Sequence, residues 1–209
     1  MENKSYTKHF LFLLVLLIIL FFLNISFGSV SIPFKDIFNS IFGGKITKES
    51  WQTIIINFRI PKAITAILVG SGLSVCGLLM QTLFRNPLAG PFVLGISSGA
   101  SLGVAILILG SSVFGGFLLT SAVSNWSLPI AASLGAFLVL SAVIIAANKV
   151  KNTMSILIIG LMFGSLTSAI ISVLAYFSEA PQIHHYLFWS FGSLGNLTWN
   201  EILVFFIIY

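Results

Sequence analysis

The sequence predicts an all-α protein, a polytopic transmembrane helical bundle, on three observations. Of its 209 residues, 57% are hydrophobic and 7% charged, with a mean hydropathy of +1.09; soluble domains carry roughly 25% charged residues. Apolar runs near or above the roughly 18 residues that cross a bilayer as helix recur along the chain. Between Ala63 and Asn148 a single side chain, Arg85, is charged. The roughly ten-residue alternating segments of a membrane β-barrel are not found.

Lys4, Lys8 and His9 precede the first apolar run, about 10–27. Ser26 and Gly28 resemble the small residues of a leader cleavage site, but the length of the run and the spans after it favour a retained first helix. A polar-aromatic stretch, Gly28–Phe58, follows. Within it "SIPFKDIFNSIFGG" is expected to form a short helix capped by Ser31, with Pro33 in the first turn and Gly43–Gly44 as the stop. Phe34, Ile37, Phe38, Ile41 and Phe42 would line one side, either in the membrane interface or against the protein itself.

The second span covers about 61–84 and the third about 92–110. Ser111–Trp126 is short and interrupted, and is expected to be a loop with an interfacial piece. Spans four and five cover about 128–148 and 153–177. Glu201–Tyr209 reads as the start of a sixth span, its nine residues being too few to cross a bilayer. Residues 1–209 are therefore expected to be one transmembrane domain, cut off within its sixth span.

With the N-terminus inside, Lys4, Lys8, Arg85, Lys149 and Lys151 are internal, and Lys35, Lys45, Lys48, Arg59 and Lys62 external. Five stand against five, so the positive-inside rule leaves orientation open. The net charge of +5 comes from scattered residues beside the spans, without the arginine-rich groove and stacking aromatics of a nucleic-acid site; no nucleic-acid partner is expected. Cys76, the single cysteine, excludes a disulfide framework or cysteine metal cluster and is expected to be a small packing residue. His184 and His185 with Glu179 lack a third ligand at metal spacing, so they are expected to be a loop pair near the membrane surface, with no metal. Asp36, Glu49 and Glu201 are isolated. No paired-carboxylate or Ser/His/Asp arrangement lies in the spans, and neither a catalytic residue nor a cofactor is expected.

The stretch "QTLFRNPLAGPFVLGISSGASLG", Gln81–Gly103, raises two separate questions. Pro87 and Pro91 remove backbone donors and prevent a continuous helix, so "RNPLAGP" should reverse the chain between two antiparallel spans. Arg85 then lies at a helix end, where its head group reaches the interface, and Asn86 is placed to hydrogen-bond its own nearby backbone. Gln81 is suited to an interhelical hydrogen bond or to a pore-lining contact. Gly95, Gly99 and Gly103 form a row at steps of four, Gly160 and Gly164 repeat it, and Gly70, Gly72 and Gly77 thin the second span. Small-residue faces let helix backbones approach where lipid provides no hydrophobic contrast.

Arg59–Ala100 as a whole resembles the permease family of ABC importers for iron-siderophores, haem and vitamin B12. The positions that carry the resemblance are Arg59, Pro61, Lys62, Gly70, Gly77, Gln81, Asn86, Pro87, Leu88, Ala89, Pro91, Leu94, Gly95, Gly99 and Ala100, with "FWSFGSLGNLTW" (Phe188–Trp199) similar to the family segment before the sixth span. The resemblance implies a homodimer with ten spans per subunit in the bacterial cytoplasmic membrane, a separate ABC ATPase subunit and an extracytoplasmic substrate-binding protein. The chain contains no G-x-x-x-x-G-K-S/T phosphate loop, as a separate ATPase requires. On the family topology "RNPLAGP" is cytoplasmic and "RIPK" external. Arg59 and Lys62 match the basic residues that pair with acidic residues of the binding protein, and lipid-headgroup anchoring is the alternative role for both. Lys62 stands where the family has arginine, which loses the bidentate fork. The family's main ATPase-coupling helix would lie beyond Tyr209. A ferric siderophore is the expected cargo, with haem or cobalamin as alternatives. An ion-coupled secondary transporter is the competing class; such proteins bury ionisable groups in their spans, and spans two to five here contain no acidic residue.

Overall fold

The computed structural model describes residues 6–110, 126–150, 153–195 and 197–209. The described residues are helical, with no strand among them. Four helical segments are long and apolar enough to cross a membrane: Thr7–Ser26, Glu49–Phe84, Ser127–Ala147 and Met154–Tyr176. The chain divides into two compact units, 1–72 with 193–209 and 73–192; the division falls within one long helix.

In the first unit, α1 (Thr7–Ser26) presents exposed apolar side chains from Phe10 to Leu20. This is the surface of a helix that faces lipid. Helix α2 (Phe34–Phe42) begins two residues later than a cap at Ser31 would place it. Pro33 itself is the N-cap, in extended conformation and without a side-chain cap, so Ser31 does not cap it and Pro33 lies outside the first turn. The expected stop is present: Gly43 adopts φ +78°, and Gly44 N–H donates to Asn39 O at 2.8 Å. Asp36 is buried and its Oδ1 accepts from Thr47 N–H and Oγ–H at 3.0 and 2.8 Å, which ties the next loop down.

The second span starts earlier than its apolar run. Helix α3 (Glu49–Ile54), a π-helical turn (Ile55–Arg59) and α4 (Ile60–Phe84) form one continuous rod of 36 residues. Pro61 explains the π turn. It has no N–H and displaces the carbonyl one turn before it, and a wider turn absorbs the mismatch. Ile60 N–H bonds to Ile55 O, which leaves Ile56 O without its usual helical donor. The indole N–H of Trp199 supplies one at 3.1 Å. Trp199 opens α9 (Trp199–Ile208), whose first turn is fixed by a capping box between Thr198 and Glu201. Ile25, Ile32, Ile37, Ile55 and Ala63 form the core of this unit.

In the second unit α5 (Ile96–Ile108) packs on α6 (Ser127–Ala147), α7 (Thr153–Tyr176) and α8 (Ala180–Phe191). The third span is shorter than expected. Residues 92–95 belong to the preceding turn, and the 13 residues of α5 reach about 20 Å, less than the roughly 30 Å of hydrocarbon. The loop expected at Ser111–Trp126 lies outside the described residues except for Trp126. Helix α8 replaces the loop expected around His184 and His185. Glu179 and Gln182 make a reciprocal capping box with Pro181 in the first turn, which are start signals visible in the sequence. Cys76 is exposed on α4, so it fills no gap within this chain.

Candidate functional site

Three local arrangements contain the residues that the sequence marks as functional. At the head of α4 stand Arg59 and Lys62, the two residues expected to meet a binding protein, and their surroundings differ. Arg59 is 8% exposed. Its guanidinium donates to Ile25 O at 2.5 Å, Ser26 O at 2.8 Å and Val30 O. Ile25 and Ser26 are the last residues of α1, where helix carbonyls have no intrahelical donor and the dipole is negative. Helix α1 has no basic residue in its own last turn, so a cation from a different helix completes it. Gly28 makes room: a Cβ there would stand 2.9 Å from the guanidinium. These three donated bonds all stay within the chain. Lys62 remains exposed and lies beside Gly195.

The second arrangement is the reversal after α4. Asn86 N–H bonds to Gln81 O at 3.1 Å and Arg85 N–H to Thr82 O at 3.3 Å, the two bonds of a Schellman ending with Arg85 at the left-handed position. Arg85 has φ +48° and is the one positive-φ residue other than glycine among the described residues. Asn86 Oδ1 accepts from Leu88 N–H at 2.9 Å, the local turn bond expected of it. Phe84, Ala89 and Leu94 anchor the turn in a core with Val139 and Val143. Leu88 stands 89% exposed, and Arg85, Pro87 and the Gln81 side chain are also exposed, with Pro91 half-buried.

The third arrangement is the glycine face. A Cβ on Gly99 would lie 2.6 Å from Gly135 O, and one on Gly135 would collide with Gly99 O. Gly103 is in the same relation to Ala131 O. Gly95, which the sequence places in the same row, is instead the N-cap of α5 with φ +73°, and a Cβ on it would lie 2.9 Å from Gly160 O. A Cβ on Gly160 would come 2.6 Å from Val93 O, and one on Gly164 3.3 Å from Ser98 Oγ. Gly70 and Gly77 differ: among the described residues a Cβ at either meets nothing within 4 Å. A shallow cleft of about 490 Å³ opens beside this face, lined by Phe92, Ser98, Gly164, Ser165 and Ser168 among others. Ser165 and Ser168 turn their hydroxyls back to Leu161 O and Gly164 O, which leaves a smooth wall without charge.

On α8, the His184 ring packs against Phe188 at 4.5 Å, and no group of three metal-binding side chains exists among the described residues. Tyr186 is half-buried; burial pushes its phenol up, opposed by a hydrogen bond with Ser101. The Arg59 cap and the Trp199 link are the two features that sequence reasoning missed. Neither has a local signal: the acceptors of Arg59 lie 29 to 34 residues away, and Ile56 lies 143 residues from Trp199.

Residues 16–209 match the model of the FecCD transport family. The chain is 35% identical to the hemin transport system permease protein HmuU of Yersinia pestis over 92% of its length, and 32% identical to the vitamin B12 import system permease protein BtuC of Photorhabdus laumondii over 96%. It spans 55% of each of these relatives. A solved metal-chelate type ABC transporter in an inward-facing conformation superposes with a TM-score of 0.76 at 29% identity, covering 97% of this chain and 58% of that one. On the family match, the sequence identities and the shared helical architecture, the chain belongs to the FecCD transport family.

Proposed function

We propose that this chain is part of the transmembrane permease subunit of an ATP-binding-cassette importer in the bacterial cytoplasmic membrane. The observation that carries the reading is the family match over residues 16–209. The subunit works as a homodimer, receives cargo from an extracytoplasmic binding protein, and is driven by a separate ATPase. Apart from Glu49, the first residue of the long second helix, spans two to five carry no acidic residue, which supports this over ion coupling.

The cargo is a ferric siderophore, a large chelate held mainly by the binding protein. A path walled by small apolar groups and back-bonded serines, such as the cleft at Ser98 and Ser168, suits a bulky cargo that must pass without sticking. Haem is the second reading, favoured by the 35% identity to the hemin permease. Cobalamin is the third, favoured by the BtuC relative.

Docking of the binding protein falls to Lys62, while Arg59 shapes the surface beside it. Rim charges of this kind set orientation and on-rate more than affinity. The test is ATP hydrolysis by the full-length permease with its ATPase in liposomes, with and without binding protein. Lys62→Glu is expected to weaken the response to binding protein and leave assembly intact. Failure of any ATPase to associate would overturn the importer reading. Competition among labelled ferric siderophore, haem and cobalamin then identifies the cargo, and haem or cobalamin winning would replace the siderophore.

A further inference from the structure

We infer that α2 lies in the membrane–water interface, with the face formed by Phe34, Phe38, Ile41 and Phe42 inserted among lipid acyl chains. The helix has three sectors, not two. Asp36, Ile37 and Ser40 are buried against the protein. Phe34, Phe38, Ile41 and Phe42 are 42–70% exposed, and Phe38 and Phe42 stack with ring centroids 4.3 Å apart. Lys35 and Asn39 form the remaining side, with Lys35 exposed. At about 100° per residue, the apolar, buried and polar sectors are centred roughly 90° or more from one another. A helix held on one flank by its own protein, with hydrocarbon on the second and water on the third, has this pattern. A helix standing in water would expose its rings at a cost.

The level of the helix agrees. Ile37 shares its core with Ile25, the penultimate residue of α1. The 20 residues of α1 reach about 30 Å, the depth of the hydrocarbon, so the last turn of α1 marks where the bilayer ends. The shared core thus sets α2 beside the last turn of α1. The charges agree as well. Lys35, Lys45 and Lys48 are exposed around α2, and Lys48 Nζ lies 5.1 Å from the centre of the Trp51 ring. Lysines and an aromatic ring at one level suit anionic lipid headgroups. Asp36, the acidic group of α2, is turned inward to Thr47, which leaves exposed Glu49 as the one acid set against these three lysines.

The proposal requires that the chain span a membrane and is independent of cargo or ATPase. The experiment labels the full-length permease, in a background with Cys76→Ser and no other cysteine, with bimane at Phe38→Cys, Ile41→Cys or Lys35→Cys. Each protein, checked for monodispersity, is placed in phosphatidylcholine–phosphatidylglycerol vesicles without binding protein. Quenching by brominated acyl chains is expected to be at least about threefold stronger at positions 38 and 41 than at 35, with iodide showing the opposite order. Position 41 serves as the reporter where a label at 38 disturbs assembly. Equal access of iodide to all three positions would overturn the proposal by placing the face in water. Exclusion of both quenchers from 38 and 41 would overturn it in favour of a protein cover, such as a second copy. Transport is not read, so failure here leaves the importer reading standing, and failure of ATPase association leaves this one standing.

Discussion

The two units hold helices together by opposite means. In the first, the close contacts are polar and irregular: a buried guanidinium on three carbonyls, an indole on a carbonyl freed by proline, a carboxylate on a threonine. In the second, α5, α6 and α7 meet through backbone atoms laid bare by Gly95, Gly99, Gly135 and Gly160. The difference follows from what each region must accommodate. The first contains helix ends and a proline-disturbed turn, whose orphan polar groups need donors wherever water is scarce. The second also has a proline turn and a Ser178 hydroxyl on Leu109 O, but its helices meet mainly along regular faces, where proximity itself supplies the attraction. One region is held by directional bonds to a few atoms, the other by the absence of side chains.

Substitutions should separate these two modes. The largest loss is expected from Gly99→Leu, because the added atoms meet the backbone of Gly135 and cannot be moved aside as a side chain can. About 3 kcal/mol of stability should go, seen as a lowered Tm of the full-length permease in detergent. Gly77→Leu, where a Cβ meets nothing within 4 Å, is the control and should stay within about 0.5 kcal/mol. If both variants unfold alike, the glycine face is not what joins the helices. Arg59→Met comes next, with about 2–3 kcal/mol lost as three carbonyls lose a charged donor. Arg59→Lys should recover part of that, and the outcome to watch is the Tm, not the docking response assigned to Lys62.

Trp199→Phe keeps the ring bulk and removes one hydrogen bond to Ile56 O, so about 1 kcal/mol is expected. Hydrogen exchange at the head of α4 would localise the effect to the π turn. The smallest change has the opposite sign. Arg85→Gly relieves a left-handed backbone that glycine adopts freely, and should raise stability by about 0.5 kcal/mol after the entropic cost of glycine is subtracted. A rise in Tm with a fall in transport would mean that the charge is retained for work and not for folding.

Much of this was legible in the sequence where cause and effect are neighbours. Asn86 and Pro87 announce their own turn, Gly43 its own stop, and Gly99 with Gly103 a face that some helix must approach. The burial of Arg59 was not legible, because its acceptors lie 29 to 34 residues away. Its similarity to a family docking residue also pointed outward. The early start of the second span was hidden because α3 carries Glu49 and Gln52 in its first turns, which read as loop. Helix α8 was hidden for the opposite reason: its capping signals are local, but paired histidines drew attention to metal chemistry instead. Gly95 shows how spacing can mislead. It keeps the four-residue step of its row, yet the turn made by Pro91 extends to it and assigns it to the turn.

The Trp199 indole has a consequence in time. Its acceptor, Ile56 O, lies 143 residues earlier in the chain, and at ordinary rates of synthesis that separation is roughly seven to thirty seconds. Until Trp199 has been made, the head of α4 lacks the side-chain donor that pairs with Ile56 O. The bond that completes the π turn is thus available only after most of the described helices have been synthesised.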